Sequence, residues 1–190
     1  VARTPSKEAH FKVLRAALQL IAERGVEGTS MDAIAAASGV SKATVYKHWA
    51  NKDELLIDVI RHQSACYPMF ESGHPREDMV DLLRHLAQKV KSEDLARIWP
   101  MIISYAMSNP EFGKALQQHV FMPRRELVLR LLKEGEAKAG LRADIDPEFA
   151  MDMLIGPIMH RRFVDDGHVP LDMPERVVDF FWKVFGRKEN

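Results

Sequence analysis

Thr29-Ser-Met-Asp-Ala-Ile-Ala-Ala-Ala-Ser-Gly-Val-Ser-Lys-Ala-Thr-Val-Tyr-Lys-His-Trp49 reads as two short helices joined by a tight turn. The first is expected from about Met31 to Ser38 and the second from about Lys42 to Trp49. Gly39 stands where the chain must reverse, and glycine alone takes a positive φ there at little cost. Ser41 follows as an N-cap whose hydroxyl can satisfy a free amide of the second helix. Met31, Ile34 and Ala35 fall on one face of the first helix, Val45 and Trp49 on one face of the second, and Val40 closes the corner. Lys42, Ala43, Thr44, Tyr46, Lys47 and His48 are left pointing outward, a set suited to phosphate oxygens and base edges. A helical hairpin with a merely solvated polar face would present the same residues. The pattern nevertheless matches a helix-turn-helix, which lays its second helix in the DNA major groove.

The flanking sequence extends this unit. Phe11, Leu14, Leu18 and Ile21 recur at steps of three and four, predicting an amphipathic helix from near Ser6 to a stop at Gly25. Thr29 and Asp32 are spaced as a capping box. Asn51-Lys-Asp-Glu54 is a second cap, opening a helix through Leu55, Leu56, Val59 and Ile60. Residues 1–50 hold seven Lys or Arg against four acids, a net of +3, while the rest carries −3, so a neutral chain hides a basic head. A basic head attracts phosphate and an acidic body does not.

These segments resemble the TetR family of transcriptional regulators. The likeness runs through Ala16-Ala-Leu-Gln-Leu-Ile-Ala-Glu-Arg-Gly25, Gly28-Thr-Ser-Met-Asp-Ala-Ile-Ala35, Gly39-Val-Ser-Lys-Ala-Thr-Val-Tyr-Lys-His-Trp49 and Asn51-Lys-Asp-Glu-Leu-Leu56. It covers roughly residues 8 to 60. Trp49 departs from the pattern, since the family usually places Phe there. The resemblance implies roles residue by residue. Thr29 and Ser30 resemble phosphate-binding positions, Tyr46 and His48 resemble backbone contacts, and Lys52 resembles a further phosphate clamp. Lys42, Ala43, Thr44 and Lys47 are the candidates for base edges.

Beyond residue 50 the chain reads as all helix. Pro75 opens a segment to about Lys91, and Ser92 caps the next, in which Pro100 predicts a kink or early break. Asn109-Pro110 opens a long helix that Pro123 bends or restarts and Gly140 ends. Asp146-Pro147 and Pro174 open the last two. The expected fold is all-α with about nine helices: a three-helix DNA-binding domain at 1–50, joined to a larger helical effector-binding and dimerisation domain at 51–190. Phe180, Phe181, Trp182, Val184 and Phe185 nearly ring the final helix, which needs cover on both sides. A deeply buried core helix would explain this. The resemblance favours a homodimer through the last two long helices, roughly 147–164 and 174–187.

The resemblance also implies a small-molecule pocket between the middle helices, and an effector that acts on the heads through the helix beginning at Asn51. Candidates for the lining are Cys66, Met69, Phe70, Trp99, Ile103, Tyr105, Met107, Phe121, Met122, Met151, Ile155 and Met159. Ten methionines suit an adaptable apolar cavity, although core filling uses the same residues. The implied function is a ligand-responsive regulator, a repressor that binds a palindromic operator as a homodimer and is released by a small apolar effector. An effector-independent DNA-binding regulator, or a helix-turn-helix kept as a scaffold for protein interaction, fits the same residues.

Other chemistry is poorly represented. The chain shows no phosphate loop, nucleophile elbow or H-E-x-x-H pattern, so neither an enzyme nor a cofactor is expected. His62 and Cys66 are two metal-type ligands, too few for a site. One cysteine, no run of 18 apolar residues and no signal peptide fit a cytoplasmic protein.

Overall fold

The computed structural model describes residues 7–64, 72–89, 93–163 and 168–187. Ten α-helices account for nearly all of them: α1 Lys7–Arg24, α2 Met31–Ser38, α3 Lys42–His48, α4 Lys52–Ser64, α5 Pro75–Lys89, α6 Glu93–Ser108, α7 Pro110–Leu116, α8 Met122–Lys138, α9 Pro147–Phe163 and α10 Met173–Phe185. A π-turn, Gln117–Phe121, stands between α7 and α8 in the chain, and with these three counted as one segment the helices number nine among the described residues. The same residues contain no strand. None of the helices is long and apolar enough to cross a membrane.

The expected breaks in the body resolve differently. α6 does not break at Pro100 but continues past it to Ser108, although the ring removes one backbone donor inside the helix. Pro123 does mark a restart, because the π-turn ends two residues before it. A wider turn gives a proline ring room against the carbonyl four residues back, a recognised cause of helix irregularity. Gly140 ends α8 with φ +69°, and the Leu141 amide turns back to donate to the Gly135 carbonyl at 3.1 Å.

The chain divides into two compact units, residues 1–66 with 97–121 and residues 67–96 with 122–190. This cut differs from the expected division after residue 50. α4 packs on α1, α7 and the π-turn, and so belongs with the head by contact.

In the first unit, α1 buries Val13, Leu14, Ala17, Leu18 and Ile21. Phe11, expected on that stripe, is instead 43% exposed and lies beside the His62 ring, 4.9 Å between centroids. α4 buries Leu55, Leu56, Val59 and Ile60, as its spacing predicts.

In the second unit, α5, α8, α9 and α10 enclose a core that includes Met79, Leu83, Val128, Leu131, Leu154, Ile158, Val178 and Phe181. Ion pairs Arg76–Asp179 and Arg84–Glu175 join α5 to α10. The C-terminal end of α10 is tied down separately. Leu141 and Gly186 form an antiparallel bridge, and the Trp182 indole donates to the Ala139 carbonyl at 3.2 Å.

Candidate DNA-binding site

The helix-turn-helix is built largely by local capping. Ser30 is the N-cap of α2, its Oγ accepting from the Ala33 amide at 3.2 Å. The expected box between Thr29 and Asp32 therefore does not form: the cap lies one residue later, and Asp32 faces elsewhere. Gly39 closes α2 in the left-handed region, φ +67°, and no atom lies within 4 Å of where a Cβ would stand. A Gly39→Ala variant thus meets backbone strain without a clash. It is expected to lose about 1–2 kcal/mol of stability, read as a lowered Tm with unchanged helicity.

Ser41 then caps α3. Its Oγ accepts from the Thr44 amide at 3.3 Å and pairs with the Thr44 hydroxyl at 2.9 Å. On the inner side Met31, Ile34, Ala35, Val45 and Trp49 are buried, the seam that the spacing predicts. On the outer side Lys42, Ala43, Tyr46, Lys47 and His48 are exposed and Thr44 is half-buried. These six surround the outer side of one short helix, whose inner side rests on the buried seam.

Two of the residues expected at phosphates also bond within the head. Thr29 is 2% exposed, and its hydroxyl donates to the Gly25 carbonyl at 2.8 Å. Lys52 donates to the Val26 carbonyl at 2.7 Å, with its ammonium 5.5 Å from the centre of the Tyr105 ring. Both side chains serve the packing of the head. Ser30 is exposed, but its oxygen is occupied as the cap.

Two carboxylates that the sequence did not single out for these roles organise the site. Asp32 of α2 accepts from the Lys42 ammonium at 2.6 Å and from the Tyr46 hydroxyl at 3.4 Å. The hydrogen bond to Asp32, and then its charge, raise the Lys42 pKa above the ordinary lysine value. Asp58 of α4 accepts from the Trp49 indole at 3.0 Å and lies 3.4 Å from His10 Nε2. The His10 ring also lies over Trp49, 5.1 Å between centroids. Trp49 thus joins the end of α3 to α1 and α4. The available signal was Trp49 itself, since a buried indole N–H calls for an acceptor.

The twelve expected effector residues are divided between the two units, and three lie outside the described residues. Cys66, Met69 and Phe70 lie outside the described residues. Trp99, Ile103, Tyr105, Met107 and Phe121 fall in the first unit, and Met122, Met151, Ile155 and Met159 in the second. Trp99 is buried and stacks on Phe121 at 6.1 Å. Met107, at the end of α6, is 82% exposed and so lines no enclosed space. Tyr105 donates to Asp53 at 2.9 Å; burial first, then that bond, raise its pKa. Tyr105 also borders a cleft of ≈ 490 Å³ with Arg24, Glu27, Met101 and Ser104. A second cleft of ≈ 380 Å³, not anticipated, lies along α9 and α10 between Met153, Met173, Val177 and Phe180. No group of three or more metal-type ligands occurs among the described residues.

An all-helical chain with a rigid, outward-facing second helix in a basic head defines a helix-turn-helix DNA-binding regulator. Residues 13–59 match the family described as bacterial regulatory proteins, tetR family, and residues 70–181 match the tetracyclin repressor-like C-terminal domain. The chain belongs to the TetR family of transcriptional regulators, and accordingly it is a DNA-binding regulator and not an enzyme. It is 29% identical over 168 residues to the uncharacterised regulator YdeS of Bacillus subtilis, covering 88% of this chain and 84% of YdeS. It is 25% identical over 163 residues to the DNA-binding transcriptional repressor TetR of Mycobacteroides abscessus, covering 85% and 84%. Among solved structures it resembles a TetR-family regulator from Mesorhizobium loti, with TM-score 0.73 and 25% identity over 97% of this chain and 100% of that one.

Proposed function

We propose that the protein is a repressor that binds a palindromic operator as a homodimer and leaves it when a small apolar effector binds. The observation that carries the reading is the α3 surface: Lys42, Ala43, Tyr46, Lys47 and His48 stand exposed above the buried Val45 and Trp49. A single helix of seven residues reaches only a few base pairs. Specific binding therefore calls for two such helices, on half-sites one helical turn apart or a multiple of that.

The partner surface we assign is the outer face of α9 and α10. Phe149 is 52% exposed, Phe180 58% and Val184 46%. With Met173 and Val177, the last two make a stripe at 173, 177, 180 and 184, the spacing of a helix-packing seam. Repression follows the named activity of the Mycobacteroides relative. The apolar effector is supported by the methionine content and by the half-buried Met122, Met151, Ile155 and Met159. A thermal-shift screen of hydrophobic compounds, followed by native mass spectrometry, tests the effector. Stabilising compounds that also release DNA are expected, and failure of both methods to find a binder would remove that part of the reading.

Within α3 we assign Tyr46 and His48 to the DNA backbone, and Lys42, Ala43, Thr44 and Lys47 to base edges. Tyr46→Ala is expected to weaken binding to matched and scrambled duplexes alike. Thr44→Ala is expected to relax preference at one or two positions, at about 1–3 kcal/mol of discrimination. Titration of both variants on both duplexes checks the division, and identical behaviour of the two would contradict it.

A further inference from the structure

We infer that Asp32 is a specificity-determining residue, holding Lys42 of the recognition helix back from indiscriminate phosphate contact. The inference rests on the proposed DNA-reading role of α3 and adds to it a residue outside that helix. Asp32 occupies the second position of α2, where an acid is already favoured by the helix dipole and needs no cation. Its carboxylate nevertheless spans to α3, one oxygen on the Lys42 ammonium at 2.6 Å and the other facing the Tyr46 hydroxyl at 3.4 Å. Lys42 and Tyr46 are four residues apart, so a single carboxylate can address both on one helix face.

Stability does not account for this arrangement. The pair is open to solvent, with side-chain exposures of 63% for Lys42 and 54% for Asp32, and such pairs contribute little to folding. Its consequence lies in what the two side chains can still do. An ammonium has three donors, and Asp32 takes one, leaving two in a fixed direction. The Tyr46 hydroxyl, 3.4 Å from Asp32, is held only loosely and stays available to the DNA backbone. On random DNA, a phosphate contact by Lys42 would only replace Asp32 with another anion, so little is gained and few counterions are released. On the matched site, the pair stays closed and presents the two remaining Lys42 donors to a base edge. An unfavourable element set against the wrong ligand is a recognised source of specificity.

The test compares Asp32→Asn with wild type on two duplexes, a consensus selected from randomised DNA and its scrambled form, over a series of salt concentrations. Asn keeps the size and removes the charge. Freeing one cation per protomer, two per dimer, should steepen log K against log salt on the scrambled duplex by about 1.8, which is about thirtyfold in affinity near 0.15 M salt. Affinity for the consensus should stay the same or fall, since Asp32 orients the Lys42 donors there, so the specificity ratio falls by at least about the same thirtyfold. In a Lys42→Ala background the gain should vanish, because no ammonium remains to be freed. Asp32→Ser, a second uncharged residue that suits a helix start, should behave as Asp32→Asn does.

A gain that persists in the Lys42→Ala background would reduce Asp32 to a general field effect and overturn the proposal. So would an unchanged slope, or equal strengthening on both duplexes. Wild type itself reports the underlying reading separately. If it binds consensus and scrambled DNA alike, the DNA-reading role and the proposal fall together. If it discriminates and the variants do not shift as stated, the proposal falls alone.

Discussion

A Phe180→Glu variant is expected to be monomeric and to lose about 10²–10⁴-fold in affinity for a palindromic site. Phe180 is 58% exposed in the single chain, on the opposite side of α10 from the buried Val178 and Phe181. A carboxylate there is expected to leave the fold of one chain in place, because more than half of the side chain is already exposed. In a dimer that buries the 173, 177, 180 and 184 stripe, the same carboxylate would be desolvated against a second apolar face without a partner. Once pairing fails, the second half-site contact is no longer intramolecular and its effective concentration disappears. Sedimentation and operator titration measure the two consequences independently. Circular dichroism should show unchanged helicity. A variant that remains dimeric and binds as wild type would move the dimer interface away from α10.

Trp49→Ala is expected to cost the head about 3–5 kcal/mol, the range for removing a large aromatic from a packed core. Trp49 is 5% exposed, and its ring covers His10 while its indole N–H reaches Asp58 at 3.0 Å. The change removes all of these contacts and leaves the end of α3 unanchored. Trp49→Phe keeps most of the ring and loses one hydrogen bond, so the expected cost falls to about 1 kcal/mol. The gap between the two variants separates packing from hydrogen bonding. Thermal unfolding measures it, and hydrogen exchange at the α3 amides should show faster opening in Trp49→Ala. Equal Tm values for wild type and Trp49→Ala would mean that the Trp49 contacts do not hold α3 in place.

Most of the head is legible in the sequence because its signals are short-range. Gly39 can take the left-handed turn wherever it occurs, Ser41 can cap whatever follows it, and a seam of Met31, Ile34, Ala35, Val45 and Trp49 is fixed by helical spacing. α2 begins and ends where the spacing places it, and α3 stops one residue earlier than expected, at His48. The bonds that the spacing does not foretell belong to side chains whose partners are distant in sequence or whose burial is set by packing. Thr29 turns inward to Gly25, Lys52 reaches back to Val26, and Asp32 reaches ten and fourteen residues ahead rather than capping its own helix. Phe11 satisfies the periodicity of α1 yet sits on its exposed flank, because Val13 and Ala17 centre the buried stripe.

The body is legible as helices and much less so as a site. Pro and Gly punctuation places the openings of α5, α7 and α9 and the end of α8. Residue type, however, does not distinguish a core methionine from one that lines a cavity. Met107 projects into solvent, while the α9–α10 cleft is lined by Met153 and Met173, which composition gave no reason to prefer. Which faces leave space depends on how rods of similar apolarity settle together, and no local pattern records that.

The most direct test of the account is a selection of binding sites from randomised duplex DNA by the intact protein at near-physiological salt. A dimeric repressor should enrich a palindromic consensus with half-sites spaced by about one helical turn or a multiple of it, bound in preference to its scrambled counterpart. Enrichment of no sequence, or of a single unrepeated half-site, would contradict it.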